Sequence, residues 1–167
     1  AELDWSLDPA SVRGLRVGLW LDAGAGMPCD PAVRAVAEAA GRVFERGGAF
    51  VEPVTPWLTP AMLSDIDLFW RVRSLADLED LSPENRSRVL PFVRRWAEGG
   101  SRASAVDVLR AYQSVMGMRA ATVAATTGYD LVLSPVAPVA AFPAHWPMPW
   151  GEADEGMAHI GFTVPFS

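Results

Sequence analysis

Alternating apolar positions near the start of the chain predict a β-strand. Every second residue from 15 to 21 is Leu or Val, which places these side chains on one face of an extended segment. Residues 31–46 carry apolar positions at helical spacing after Asp30, a favourable helix N-cap. A second apolar segment, residues 49–54, runs into prolines and predicts another strand. Strand, helix and strand joined by short loops predict a βαβ unit, and therefore an α/β fold.

The pattern over residues 60–128 predicts a helical excursion from this unit. Thr-Pro and Ser-Pro pairs begin two helices, and Pro91 is expected to kink the second of them. Ser104 with Asp107 resembles a capping box and begins a third, longer helix. The apolar stripe of this third helix is expected to face the core and consists of Val108, Leu109, Tyr112, Val115, Met116 and Val123.

Residues 129–134 predict a third strand, apolar on both faces as is typical of a central strand in a parallel sheet. The following segment, residues 135–161, is rich in proline and aromatic residues. It cannot form a regular helix or central strand, and it is too apolar for a disordered linker, so we expect a loop that packs against the domain. Together these elements predict a single α/β domain over residues 1–167.

Composition narrows the function classes. All 14 basic residues are Arg, so the chain cannot carry chemistry that needs a lysine, such as Schiff-base formation or P-loop phosphate binding. The net charge of -6 argues against direct contact with nucleic acid. One cysteine cannot form an intrachain disulfide, residues 1–5 do not resemble a signal peptide, and no apolar run could cross a membrane. We therefore expect a cytoplasmic protein without membrane contact.

The glycines of the first loop are one candidate ligand site. Gly24 and Gly26 follow the first predicted strand and come one residue short of a dinucleotide-binding G-x-G-x-x-G pattern. Cys29 stands where the third glycine would be, and the anionic cap Asp30 would repel a phosphate. A connecting loop is therefore the stronger interpretation, and Asp30 also disfavours Cys29 as a nucleophilic thiolate.

The remaining candidates are weaker. His145 and His159 stand far apart without a metal-binding spacing, so we predict no metal site and no cofactor. No G-x-S-x-G elbow places a serine for nucleophilic attack. The arginines within residues 86–95 could bind an anion, but a solvated helix face is the stronger interpretation.

Three stretches resemble the amidase signature family, and specifically its C-terminal part. Residues 16–54 are similar to the family's strand, its helix opened by Asp-Pro, and its second strand. Residues 129–138, YDLVLSPVAP, resemble the family pattern of YD, apolar residues, then S/T-P-x-x-P. Residues 162–167, FTVPFS, are similar to the family's FT-x-P stretch. The three stretches occur in the family's order and span nearly the whole chain.

This resemblance implies that the complete enzyme hydrolyses a carboxylic amide, using a serine nucleophile, a second serine and a lysine. The lysine and the glycine- and serine-rich signature are absent from this sequence. The resemblance therefore implies a C-terminal segment with an incomplete sheet cut from a larger amidase-type fold, without catalytic residues and inactive alone. A variant is the amidase-like subunit of an aminoacyl-tRNA amidotransferase.

Open α/β sheets bind ligands beyond the carboxyl ends of their strands, where the segment after Ser134 begins. We expect Phe142, Trp146 and Phe166 to shape the pocket for a small-molecule amide in the complete enzyme.

Two other function classes remain open: a stand-alone ligand-binding module that uses the glycine loop, and a non-catalytic domain whose aromatic residues dock a partner. Uncovered apolar surface also favours a homodimer.

Overall fold

The computed structural model of the protein describes residues 11–151 and 153–166. The expectations about the start of the chain and about Ser167 lie outside the described residues. Three strands and five α-helices are assigned within the described ranges. In chain order they are β1 (Arg16–Leu19), α1 (Pro31–Arg46), β2 (Phe50–Pro53), α2 (Pro60–Glu79), α3 (Pro83–Arg88), α4 (Pro91–Glu98), α5 (Ala105–Thr126) and β3 (Leu131–Leu133).

The strands form one parallel sheet in the order β2-β1-β3. Val17 pairs with Val51 on one side and with Leu131 on the other. The α/β class, the βαβ unit and the incomplete sheet are confirmed. The position of the third strand differs from the prediction, because β1 is central and β3 lies at an edge of the described sheet. An apolar pattern reports burial of the two faces of a strand, and it does not report how many strands flank it.

Helix α1 packs on the sheet through a small residue, Gly41. A Cβ atom there would make ordinary van der Waals contact, 3.4 Å from Leu19 Cδ2 and 3.6 Å from Val51 Cγ1, so alanine would fit and a larger side chain would push the helix away. The helix begins as predicted, since the Asp30 carboxylate accepts a 2.7 Å hydrogen bond from the Ala32 N–H. Local capping and one small residue thus fix how α1 covers β1 and β2.

The helical excursion departs from prediction at Pro91. This proline does not kink a helix, because α3 ends before it and α4 begins with it. Val89 and Leu90 have ψ values of 138° and 133°, which are extended. A residue that precedes proline is disfavoured in the α region, so the chain leaves the helix there and restarts it. None of the helices in the described residues is long and apolar enough to cross a membrane.

The long helix α5 buries a different side from the one predicted. Its buried residues are Ala111, Met118 and Thr122. The predicted stripe is half-buried at two positions, whereas its other four side chains are more than half exposed: Leu109, Tyr112, Met116 and Val123. The apolar residues of α5 span an arc too wide for its neighbour α2 to cover, so one side stays open.

An ion-pair cluster ties the proline-rich loop to helix α2. Arg71 donates to Asp67 Oδ2 at 2.6 Å and to Asp154 Oδ1 at 2.5 Å. Trp96 in α4 donates from Nε1 to Asp67 Oδ1 at 3.0 Å. Hydrogen bonds from Arg71 to Asp154 hold the pKa of that carboxyl below its usual range. The loop, α2 and α4 are therefore held together through one guanidinium.

Candidate functional site

Aromatic side chains gather at the carboxyl edge of the sheet. Trp20 directly follows β1, and Trp57 lies shortly after β2. Their rings stack with centroids 4.0 Å apart. Phe162 and Phe166 approach Trp20 edge-on, at centroid distances of 5.1 and 5.9 Å. The end of the chain is thus brought back over the edge where open α/β sheets bind ligands.

This aromatic cluster is hydrogen-bonded to helix α5 through one hydroxyl group. Trp57 Nε1 donates to Thr122 Oγ1 at 3.0 Å, and that hydroxyl donates to the Met118 carbonyl at 2.8 Å. Trp20 is fully buried, and its Nε1 has no hydrogen-bond partner among the described residues. The bond between Trp57 and Thr122 therefore fixes where α5 sits relative to the carboxyl edge.

A groove of about 600 Å³ opens beside this cluster. It lies between α2, α5 and the 3-10 turn Val164–Phe166. Its volume falls in the range of about 300–1,000 Å³ typical of small-molecule sites. The walls are mainly apolar and aromatic, and Arg119 is the charged residue among them. Its lining side chains include Phe69, Tyr112, Met116, Arg119, Thr122, Thr126 and Phe166.

The three residues predicted from the sequence to shape a substrate pocket occupy different surroundings. Phe166 lines the groove, as well as a smaller pocket beside β3. Phe142 and Trp146 are partly exposed and do not line the groove. The Trp146 ring contacts His145, with centroids 6.5 Å apart. The substrate-binding role of these three residues stays a prediction.

Sequence reasoning missed the groove because it assigned the relevant face of α5 to the core. Tyr112 and Met116 were expected to be buried, yet they form an open wall. Arg119 interrupts the same stripe, seven residues after Tyr112 and therefore on the same side of the helix. A charge inside a wide apolar stripe is the signal that could have indicated a solvent-facing groove.

The space beside the glycine loop, residues 22–27, is occupied by other parts of the same chain. Gly24 and Gly26 have φ values of +89° and +88°, which favour glycine. The Gly24 N–H donates to Asp22 Oδ1 at 2.9 Å, and the Met27 N–H donates to the Ala158 carbonyl at 2.8 Å. A Cβ atom at Gly26 would overlap the Ala158 carbonyl oxygen. These contacts disfavour the loop as a phosphate site.

The surroundings of Cys29 and His159 do not favour nucleophilic catalysis or metal binding. Burial raises the pKa of the Cys29 thiol, which lowers the fraction of nucleophilic thiolate. Burial lowers the pKa of His159, so its ring is neutral at physiological pH. Within residues 11–151 and 153–166, no three His, Cys, Asp or Glu side chains converge in a way that could hold a metal ion.

No protein-family model and no curated protein sequence matches the chain. Solved structures do match it. A bacterial aryl acylamidase of the amidase signature family aligns with a TM-score of 0.68 and 20% identity, over 93% of this chain and 35% of that chain. A 6-aminohexanoate cyclic dimer hydrolase, solved with its substrate, aligns with a TM-score of 0.70 and 17% identity, over 92% of this chain and 36% of that chain.

The fold is therefore a partial amidase-type α/β fold. The chain spans about a third of the length of the structures that it matches.

Proposed function

We propose that this chain is the C-terminal segment of an amidase-type hydrolase, which cleaves an amide C–N bond in the complete enzyme. The observation that carries the proposal is the alignment of over nine-tenths of this chain with about a third of two amidase-type structures. In the complete enzyme the segment shapes the substrate pocket and supplies no catalytic residue.

The chemistry of the groove supports binding without catalysis. Its two threonine hydroxyls donate to backbone carbonyls, from Thr122 to Met118 and from Thr126 to Thr122, each at 2.8 Å. The sequence contains no lysine to serve as the base that the family resemblance implies. The nucleophile and its base would therefore come from another part of the enzyme, and this segment would contribute an apolar wall.

The uncovered surface of the chain also supports the proposal. Strand β3 has a strand partner on one side only in the described sheet. Large apolar side chains are exposed on α5 and near β3, among them Leu109, Leu131 and Val136. An unpaired strand edge beside exposed apolar residues is the kind of surface that a further layer of protein covers. We propose that the remaining part of a longer enzyme covers it.

The first test is hydrolysis of a chromogenic anilide by this chain alone, for which we expect no turnover above buffer. A longer reading frame that contains this chain is expected to encode a glycine- and serine-rich segment with an upstream lysine. Robust turnover by the isolated chain would contradict the proposal, because the chain would then need a base that is not lysine.

The second test concerns the predicted pocket residues in that longer enzyme. Replacing Phe142, Trp146 or Phe166 by Ala is expected to change the ratio of kcat/KM between an aryl and an alkyl amide by about tenfold, the effect of roughly 1.4 kcal/mol of differential binding. Phe50→Ala is the matched control, since this phenyl ring is exposed on β2. An unchanged ratio in all three variants would remove these residues from the pocket.

Two finer proposals accompany this function. The enzyme would act in the cytoplasm, since a single cysteine offers no intrachain disulfide. The variant in which the segment belongs to an amidotransferase subunit would add protein and tRNA partners, although the net charge of -6 does not favour direct contact between this segment and tRNA.

A further inference from the structure

The groove beside α5 combines apolar walls with one unpaired guanidinium. Arg119 is the charged side chain that lines it. Arg16 and Arg71, by contrast, each form ion pairs with carboxylates. Arg119 makes no ion pair with any residue in the described part of the chain. A guanidinium without a carboxylate partner at an apolar groove is available to a ligand.

We propose that this groove binds an elongated apolar molecule that ends in a single carboxylate. The carboxylate pairs with Arg119, and the apolar body lies along the wall formed by Phe69, Tyr112 and Met116. In the complete hydrolase, the substrate would then be an amide that also bears a carboxylate. That last statement rests on the proposed function, whereas the binding of the carboxylate does not.

The chemistry of the groove discriminates among ligands. A guanidinium presents paired N–H donors that match a carboxylate in a bidentate geometry, and it repels cationic ligands. A phosphate dianion would need a second positive charge, and no second arginine or lysine lines the groove. Aromatic and thioether side chains favour an aromatic or alkyl body over a polar one.

Binding to this chain tests the proposal with 4-phenylbutyrate and its neutral analogue 4-phenylbutanamide, by calorimetry and tryptophan fluorescence. We expect the carboxylate to bind about threefold to fivefold more tightly than the amide at low salt, the effect of an ion pair with an exposed arginine. Arg119→Gln should abolish this preference. Arg110→Gln is the matched control, because Arg110 is an exposed arginine on α5 outside the groove. Met116→Trp, which fills the groove and keeps Arg119, should weaken both probes.

Three results would overturn the inference: no saturable binding of the carboxylate, equal binding of the two probes, or equal losses in the Arg119 and Arg110 variants. The last result would indicate general attraction to positive charge. Far-UV circular dichroism and thermal melts establish that each variant is folded. The binding assay measures no hydrolysis, so a negative result would not contradict the proposed hydrolase function. Conversely, an absence of amidase activity in a longer enzyme would not contradict carboxylate binding in the groove.

Discussion

Arg71 forms hydrogen bonds, ion pairs and a contact with an aromatic ring at the same time. Besides its two aspartates, it donates from Nη1 to the Trp96 carbonyl at 3.0 Å, and its guanidinium lies 5.5 Å from the centroid of the Trp96 ring. The Arg71 and Asp67 side chains are mostly buried, whereas Asp154 is half exposed. The buried part of this cluster therefore matters more for stability than the exposed part.

We expect Arg71→Met to lower the free energy of unfolding by about 2 kcal/mol, because it leaves the Asp67 carboxylate without its charge partner in a mostly buried position. Urea unfolding measures this change. Arg73→Met on the same helix is the control, since Arg73 is exposed and its loss should cost less than about 0.5 kcal/mol. Equal effects of the two substitutions would contradict a special role for Arg71.

His159 gives the chain a pH dependence near neutrality. Its Nδ1 is buried without a hydrogen-bond partner in the described residues, and burial lowers its pKa. The unfolded chain takes up a proton below the ordinary pKa of about 6.5, while the folded ring resists protonation. Stability should therefore fall as the pH drops below 6.5, until the pH reaches the lowered pKa of the folded state.

Thermal melts between pH 7.5 and pH 5.5 test this dependence. The slope should stay below the one-proton limit of about 1.4 kcal/mol per pH unit, because the ring is only partly buried. His159→Gln is expected to flatten the profile over this interval, and His145→Gln, at an exposed position, should leave it unchanged. An unaltered slope in the His159 variant would assign the pH dependence to other groups.

At the scale of elements, the starts of α1, α2, α3 and α5 were predictable because capping is local, whereas the start of α4 at Pro91 was predicted only as a kink. Asp30 and Ser104 accept backbone hydrogen bonds where the sequence placed them, and the full capping box forms between Ser104 and Asp107. The strands were predictable in number and type because their apolar segments are short and bounded by turn residues. These features depend on a few neighbouring residues and on no distant contact.

The faces of the elements were harder to predict, because tertiary packing decides them. The stripe of α5 contains more apolar surface than α2 can bury, and its apolar periodicity does not indicate which part stays open. Arg119 within the stripe is the local signal that points to the open side. The groove and its Arg119 follow from that choice, so they could not be located from periodicity alone. Phe166 lies at the carboxyl edge, with its ring centroid 5.9 Å from that of Trp20, and its role in substrate binding stays a prediction.

Two glycines should respond to Ala in opposite ways because their elements leave different space. A Cβ atom at Gly117, within α5, meets nothing within 4 Å, so Gly117→Ala should stabilise the protein by about 0.5–1 kcal/mol. A Cβ atom at Gly18 in β1 would lie 2.5 Å from Val54 Cγ2, so Gly18→Ala should destabilise it by about 1–3 kcal/mol. Urea unfolding of both variants measures the difference, and shifts of equal sign would contradict this packing.

At the scale of the whole molecule, the exposed face of α5 bears on self-association. Val106 and Leu109 are more than half exposed at the first turns of this helix and lie outside the groove. When the chain is isolated, a second copy could cover this surface, since exposed apolar patches tend to associate. We therefore propose a weak homodimer of the isolated chain.

Sedimentation over a range of concentrations should show a dimer of the wild-type chain. Leu109→Glu should raise the dissociation constant of this dimer at least fivefold. A charged residue in a desolvated apolar contact is costly, which is the physical reason for the shift. Ser101→Glu adds the same charge at an exposed polar position and should leave the equilibrium unchanged. A wild-type chain that stays monomeric at all concentrations would contradict the dimer.

The pairing of the central strand has a consequence for the order of folding. The partner of β1 on one side, β2, follows within the same βαβ unit, whereas its partner on the other side, β3, is made only after helices α2–α5. Closing so long a segment is slow, so the βαβ unit is expected to form first during synthesis and β3 to dock last. Until then one edge of β1 is open to other nascent chains, and the yield of folded protein should fall with concentration and rise with chaperones.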